Sequence, residues 1–449
     1  MKIFTEQIEQ IIANRAGHRT AEKYFEGDVA RLAFSESFRR ELHGKVQSMR
    51  LNHARTVVSA LVNRLEINSI TGKTDKANKA IDKVLKQNGK GAFFNDLFTK
   101  ASVYGEAFAM AWPDAKGDWK LSAYDPKSTF IKYSDENPWQ KEYALRIFSS
   151  NGKTRLNAFY ADRIVKYVAN SDTLDMALDW SVVETVENPY GEIPIFHLRN
   201  NSQHGRPEHF DAYNSQDAIN ELVSTHMETI QYQGAPQRYA LANIEQSGEP
   251  QDFGDGASDR ENLEALKNGP GELWYLKGVT NVGTFEPAKP ETFWTPIKDQ
   301  IVTMASLTDT PLHVFTGQVL SGPALRAAES PLIKKVERRQ DQYTNAIEEL
   351  FAYILGVDNI NANITIIWND GQSVDMLEEW DILAKKRNVG MPFQQVLIEA
   401  GYSETSIAKI MAWKAENDEK DYARAANTNP DVRVQEQNDE TKIDTGEIK

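Results

Sequence analysis

Four stretches of the chain carry residue types that can do chemistry. Gly72-Lys73-Thr74 has the closing residues of a phosphate-binding loop, whose backbone N–H groups and lysine cradle a polyphosphate. That loop needs another glycine five residues earlier, where Ile67 stands, so Lys73 reads as a lysine in a helix-connecting turn. His197, His204 and His209 crowd one region. Zinc needs a close pair at helical or hairpin spacing, a third ligand and partners behind them. Asn200, Asn201 and Arg206 interrupt the three, so solvated loop histidines are expected and no metal site. Asp252, Asp255 and Asp259 lie in a glycine-containing stretch, but a calcium loop wants alternating acids and a closing glutamate. A flexible acidic loop is expected there. Lys334, Lys335, Arg338 and Arg339, with Glu337 among them, form a basic cluster on a helical pattern. It reads as phosphate-facing, or as a solvated or subunit-contacting helix face. No serine has a Gly-x-Ser-x-Gly setting and no Ser/His/Asp constellation emerges. The expectation is a protein without catalysis, cofactor or metal.

Bulk properties narrow the classes further. The 449 residues suffice for two to four modules, and 40% apolar with 26% charged residues is ordinary globular composition. The absence of cysteine removes disulfides, thiolate metal sites and thiol catalysis, and fits assembly in a reducing cytoplasm. No apolar run has the length of a membrane-spanning helix, so no membrane partner is expected. The opening MKIFTEQIEQ is amphipathic with early acids, which reads as neither a secretory signal nor a transit peptide. The formal charge of −14 opposes tight DNA binding, which needs a basic surface to displace counterions. Passing a duplex without holding it is compatible with an acidic surface.

The elements that must position these residues follow from periodicity. Ser35–Asn68 spaces its apolar residues mostly as a helix, broken near Gly44, and Asp75–Val103 as a second, interrupted at Gly89 and Gly91 and burying Phe93, Phe94, Leu97 and Phe98. Ala144–Phe148, Arg155–Tyr160, Arg163–Val168 and Trp180–Glu187 read as strands of a small antiparallel sheet, with Asn151-Gly152 as a two-residue hairpin turn. A helix from Glu208 to Gly234 is expected, then polar sequence with a strand at Glu272–Leu276. A shorter helix carries Phe293, Ile297, Ile301 and Ala305 on one stripe, with Pro296 in its first turn. Asp309–Gly322 has no period and reads as an ordered loop. The longest helix runs from Leu325 to Gly356, with a kink at Pro331 or a fresh start capped by Ser330. Ile364–Trp368 is a strand, and three short helices punctuated by Gly390, Pro392 and Gly401 fill Ser373–Ala425. From Ala426 the chain has six acids, three bases and no aromatic residue, and is expected to be disordered. There is no internal repeat.

The order of several phrases is specific where each alone is not. NPYGEIPIFHLRN from Asn188 resembles the phrase before the first stem helix of siphovirus-type portal proteins, the head-to-tail connectors of tailed bacteriophages. DAYNSQDAINELVSTHMETIQYQGAPQRYAL, Asp211 to Leu241, resembles that helix and its exit. Thr308–His313, Ser321–Glu329 and Lys335–Gln340 are similar to the family's loop and long helix. Asn52–Leu65, Val103–Glu106 and Trp112-Pro113 resemble earlier segments in the same order, so the likeness spans about residues 20 to 410. Pro331 and the stretch after Arg238 depart from the pattern.

The resemblance implies an α+β, portal-type fold: a helical and β wing, a two-helix stem, a small α/β clip, a long kinked helix and a helical crown. On this sequence the wing is 1–207, the first stem helix 208–234, the clip 235–291 and the second stem helix 292–308. The tunnel loop is 309–322, the long helix and a returning wing strand 323–372, the crown 373–425 and the acidic tail 426–449. The implied function is a ring of twelve at one capsid vertex of the virion, assembled in the host bacterial cytoplasm, through which DNA is packaged and ejected. Implied partners are the terminase large subunit, head-completion or adaptor proteins, the major capsid and scaffolding proteins, and double-stranded DNA that passes without tight binding. Expected channel residues are Lys298, His313, Val314, Phe315, Thr316 and Gln318. Two other functions are weighed: another capsid component such as a minor head protein, and a metal-dependent nucleic-acid-processing enzyme. Long helices bracketing Gln237–Glu291 oppose the first, and the lack of clustered acids on strand ends opposes the second.

Overall fold

A computed structural model describes residues 2–29, 51–200, 205–234, 238–242, 279–284, 291–360, 363–371, 376–400, 402 and 404–428. Outside these lie the expected strand at Glu272–Leu276, the region of Gly44, His204, Asp252–Asp259, Gly401 and the sequence after Thr428. The chain divides into two units, one of residues 1–66 and 71–365 and the other of 67–70 and 366–449.

The larger unit begins with α1 (Thr5–Glu26), α2 (His53–Val62), α3 (Asp75–Asn88) and α4 (Lys90–Tyr104). Local chemistry sets their ends. Asn52 caps α2 by accepting from Arg55 N at 3.1 Å, and Thr74 caps α3 by accepting from Ala77 N at 3.2 Å. Gly89, at φ 63°, separates α3 from α4, whereas Gly91 lies inside α4 and breaks nothing. The helix expected through Asn68 ends at Val62, and Ile67–Gly72 is a strand, β1, rich in β-branched residues.

Two antiparallel sheets follow. β2 (Glu106–Pro113) is central between β3 (Trp119–Tyr124) and β9 (Ile195–Arg199). The second sheet runs in sequence order through β4 (Thr129–Tyr133), β5 (Lys141–Ser150), β6 (Lys153–Phe159), β7 (Arg163–Ala169) and β8 (Ser181–Glu187). Asn151 and Gly152 turn β5 into β6 with φ 55° and 69°, the left-handed pair that a twisted two-residue hairpin needs. Ile8 and Ile11 of α1 cover this sheet at Leu145, Ile147, Leu156 and Trp180. Phe108, Ile131, Phe159 and Ile195 join the two sheets. Gly105 ends α4 at φ 87°, and a Cβ there would sit 2.2 Å from the Gly205 backbone, so two chain segments cross where only glycines fit.

The rest of the unit is mostly helical. A 3-10 turn (Phe210–Ala212) leads into α5 (Tyr213–Gly234), which is 22 residues, about 33 Å, and starts five residues later than expected. β10 (Arg238–Ala242) and β11 (Val279–Thr284) pair antiparallel, and α6 (Glu291–Leu307) returns against α5. Pro296 lies in the second turn of α6, not the first. The loop expected at Asp309–Gly322 contains a short helix, α7 (Leu312–Thr316). Then α8 (Gly322–Val357) runs 36 residues through Pro331 with no fresh start at Ser330. Its opening comes from Ser321 and from a proline in the first turn, Pro323. The buried face of α8 meets α4, where Phe98 and Tyr343 stack with ring centroids 5.7 Å apart. Fully buried side chains of this size contribute about 1.5–3 kcal/mol each.

The smaller unit holds β1 paired with β12 (Ile364–Trp368), and three helices: α9 (Met376–Asn388), α10 (Phe393–Glu399) and α11 (Glu404–Thr428). The last helix is 25 residues and passes the expected boundary at Ala425. No helix among the described residues is long and apolar enough to cross a membrane.

Candidate functional site

The site grows from α5, whose inner face is polar. Gln216 Oε1 accepts from the backbone N–H groups of His53 and Ala54 at 2.8 and 3.0 Å, and so serves as a second cap for α2. Its Nε2 donates to Leu51 O and to Asn220 Oδ1. Asp217 accepts from the Tyr24 hydroxyl at 2.7 Å, and Ile219 is fully buried beside Ile297 and Met304 of α6. The Gln-Asp-Ala-Ile-Asn phrase therefore has a physical role: it fastens α5 to α1 and α2 while its apolar member meets α6. On the outer face of α6, Lys298 is exposed, with its ammonium 5.5 Å from the Trp294 ring centre.

The segment after α6 is pinned at two points. Thr308 and Thr310 are buried and hydrogen-bonded to each other, and Asp309 between them has φ 52°. Lys335 of α8 donates to Thr308 O at 3.2 Å. In α7, His313 Nε2 is 3.4 Å from Glu329 Oε1, the oxygen that also accepts from Arg64 Nη2 at 2.6 Å. Phe315 turns inward, 5.8 Å from His53, and packs on the α5–α6 core. Gly317 (φ 66°) ends α7, and beyond it Gln318 and Val319 project outward, Val319 at 93% exposure. Thr316 is exposed and Val314 half-buried. Of the six expected channel residues, His313 and Phe315 thus face the protein, and Lys298, Thr316 and Gln318 face outward.

The second buried node centres on Glu208. Its carboxylate meets Arg339 Nε at 2.5 Å and Lys335 Nζ at 3.0 Å, and accepts from Asn200 at 2.9 Å. Burial alone would push Glu208 up, but Lys335 and Arg339 overcome it and hold the carboxyl below its ordinary range. Burial opposes the Arg339 charge, yet Glu208 keeps that guanidinium above its usual value. Lys335 and Arg339 are therefore inward-turned partners of a buried acid, which corrects their reading as phosphate-facing or subunit-contacting. Lys334 and Arg338, one residue earlier on the helical wheel in each case, remain exposed. The late start of α5 follows from tighter turns ahead of it, with Phe210 N donating to Pro207 O and Ala212 N to His209 O, both at 3.1 Å.

The histidines are a second correction. His197 is in β9, its side chain 9% exposed, with Nε2 2.8 Å from Glu106 Oε2 and Nδ1 3.2 Å from the Tyr133 hydroxyl. Burial lowers its pKa against the opposing pull of Glu106. His209 is fully buried, bonds Ala21 O at 2.8 Å, and burial lowers it to about 4. Neither is a solvated loop residue. A strand does precede Gly72-Lys73-Thr74 and a helix follows, but the donors there serve the chain itself: Gly72 N donates to Asn78 Oδ1 at 2.7 Å. Among the described residues no group of three or more His, Asp or Glu side chains is arranged to hold a metal ion.

Glu208, Glu329, Arg64 and Asn200 were not anticipated as site residues. Three of them stand within phrases quoted above, Arg64 inside Asn52–Leu65, Asn200 closing NPYGEIPIFHLRN and Glu329 closing Ser321–Glu329. An acid inside an otherwise small and apolar run, as in Ala327-Ala328-Glu329, is the available signal for a buried partner.

A family description, phage portal protein, SPP1 Gp6-like, matches residues 8–422 of the chain. Three solved structures are similar at low identity. A chain from the virion of a native gene transfer agent particle is 12% identical, with a TM-score of 0.48 over 78% of this chain and 89% of that one. A chain from the neck of the empty particle, computed with C6 symmetry, is 12% identical with a TM-score of 0.49 over 78% and 89%. One from the neck of the native particle, computed with C12 symmetry, is 11% identical with a TM-score of 0.48 over 83% and 96%. No curated protein matches the sequence.

Proposed function

The chain belongs to the SPP1 Gp6-like family of phage portal proteins, and from that premise we propose that twelve copies form the ring-shaped portal at one vertex of a virion capsid. The observation that carries the reading is the extent of the family match, residues 8–422, which takes in α5, α6, the pinned loop and α8 together. In this reading residues 1–207 are the wing, α5 and α6 the stem, 235–291 the clip, 309–322 the tunnel loop, and the helices after 373 the crown.

The ring is a conduit and a platform, and catalyses nothing itself. DNA passes inward during packaging and outward during ejection. The terminase large subunit docks first and supplies nucleotide hydrolysis, and head-completion or adaptor proteins dock later. Major capsid and scaffolding proteins surround the ring, which assembles in the host cytoplasm. Lys298 on α6 and Val314, Thr316 and Gln318 on the loop line the channel, while His313 and Phe315 hold the loop in position. Lys334 and Arg338 take the neighbouring subunit. A net charge of −14 disfavours lasting phosphate contacts, so the duplex slides and is not held.

The test is the native mass and negative-stain image of the purified protein across salt and concentration. Rings of twelve or thirteen with a central hole are expected. A 50.7 kDa species alone under every condition overturns the reading.

A further inference from the structure

One face of the five-stranded sheet changes character along its strands. Residues directly opposite one another in an antiparallel pair share a face, so the register reads that face in rows. The row Ile131, Ala144, Phe159, Ile164 and Val186 is apolar, and its first four members pack with Phe108 and Ile195 of the other sheet. The next row is Thr129, Arg146, Asn157, Lys166 and Glu184. Beyond it come Phe148, Arg155 and Val168, then Ser150 and Lys153. Apart from Thr129 these outer rows are half-buried or exposed. Among the described residues they hold four cations, Arg146, Lys153, Arg155 and Lys166, against one carboxylate, Glu184. In a chain of formal charge −14 this face is a local reversal of sign. Asp172, just past β7, belongs to the opposite side, where it lines a cavity with Ile147, Ser149 and Thr154.

We infer that these outer rows bind the phosphates of a nucleic-acid strand, at a place apart from the stem and loop residues assigned to the channel. The Arg146 guanidinium carbon lies 3.9 Å from the Tyr124 ring centre and 5.0 Å from that of Phe148, so two aromatic rings hold the group in place. Nε of Arg146 and of Arg155 is buried with no hydrogen-bond partner, and neither residue forms an ion pair among the described residues. Lys166 meets Glu184 at 2.8 Å, but both ends of that pair are exposed and it exchanges at little cost. Guanidinium groups give paired, charge-assisted hydrogen bonds to oxyanions. The rest of the face selects phosphate over an acidic protein surface. Asn157 and Ser150 add uncharged side chains of the kind that contact phosphate oxygens. Lys153 and Arg155 are alternate residues of one strand, about 6.7 Å apart, and Arg146 lies diagonally across at about 7–8 Å, a repeat suited to successive phosphates. A protein partner would call for a desolvated apolar centre. Among the described residues of these rows the large apolar members are Phe148 and Val168 alone, both half-buried, and a half-buried ring suits stacking on a base. The inference needs no ring and shares no residue with the expected channel wall.

A covalently closed circular duplex has no end that can enter a channel, so its binding reports outer surfaces alone. The full chain is expected to retard such a circle at low salt and to release it as salt rises. Lys153→Gln with Arg155→Gln should weaken binding several-fold and lower the slope of log affinity against log salt by about 0.9 for each cation removed. Glu184→Gln takes away the one carboxylate of these rows and should strengthen binding several-fold, a gain that misfolding cannot imitate. A circle that is never bound, or that both variants bind as the unaltered protein does, overturns the inference. Polyglutamate displacing the circle as well as polyphosphate of equal charge would mean that the face recognises carboxylates, and would overturn the assignment to nucleic acid. Microscopy of the same samples keeps the two readings separate. Rings without circle binding sink this inference and leave the portal reading intact, whereas circle binding by a protein that never forms rings does the reverse.

Discussion

Removing the Glu208 carboxylate strands Lys335 and Arg339 in a site where both are largely buried. An uncompensated buried charge costs about 3–5 kcal/mol, so Glu208→Ala should lower the unfolding free energy read from a denaturant titration by that much, and more than Arg339→Ala does. The neighbouring histidine makes stability depend on acidity. His209 has a folded pKa of about 4 against an ordinary 6.5. Above pH 6.5 it is neutral in both states and contributes no slope. Between about 6.5 and 4 the unfolded chain binds a proton that the folded one does not, so stability falls as pH drops, by up to about 3 kcal/mol. The depressed Glu208 carboxyl acts in the same direction at lower pH, its contribution being lost as pH falls through its folded value. His209→Gln, which can still donate to Ala21 O, should flatten the loss between pH 6.5 and 4 in urea titrations. An unchanged slope would assign it to other groups. At this scale the sequence was least legible. The residue types of the basic cluster were visible, but whether each cation meets water or Glu208 depends on partners more than a hundred residues away.

Element by element, local signals were read well and tertiary ones poorly. The strands β5 to β8, the Asn151-Gly152 turn, Gly89 and the span of α8 all follow from periodicity and turn chemistry that a short window contains. The misses have physical reasons. α5 starts late because Pro207–Ala212 closes i→i+3 turns first. α7 is five residues, too few for an apolar period to register, and is stabilised by Phe315 packing on the α5–α6 core. Pro331 does not divide α8 because the helix is held on both sides of it, before it by buried Glu329, which pairs with Arg64, and after it by buried Leu332, Val336 and beyond. That proline is exposed and removes one backbone hydrogen bond. Pro331→Ala should therefore raise stability by about 1–3 kcal/mol, measured as a shift in melting temperature. A destabilised variant would mean that the proline sets a helix direction the surroundings require.

For the whole molecule, the order of short phrases carried more than any one of them, and the family match over residues 8–422 bears that out. How copies of the chain would meet in the proposed ring is set by surfaces that no single sequence encodes locally. Under the portal reading, Lys298→Glu should leave rings intact and lower the DNA packaged per particle, because it adds negative charge to the wall beside Trp294. Equal packaging would remove Lys298 from the channel. The pinning of the loop has a mechanical consequence. Its two posts, Glu329 and Lys335, stand six residues apart on α8, about 9 Å along one rod. Under the portal reading, a force applied at Gln318 and Val319 would load that rod directly instead of stretching the loop. Two fixings at different distances along a stiff beam turn a pull into a torque, so under the portal reading a pull on the loop would be felt along α8 towards the aromatic stack at Tyr343.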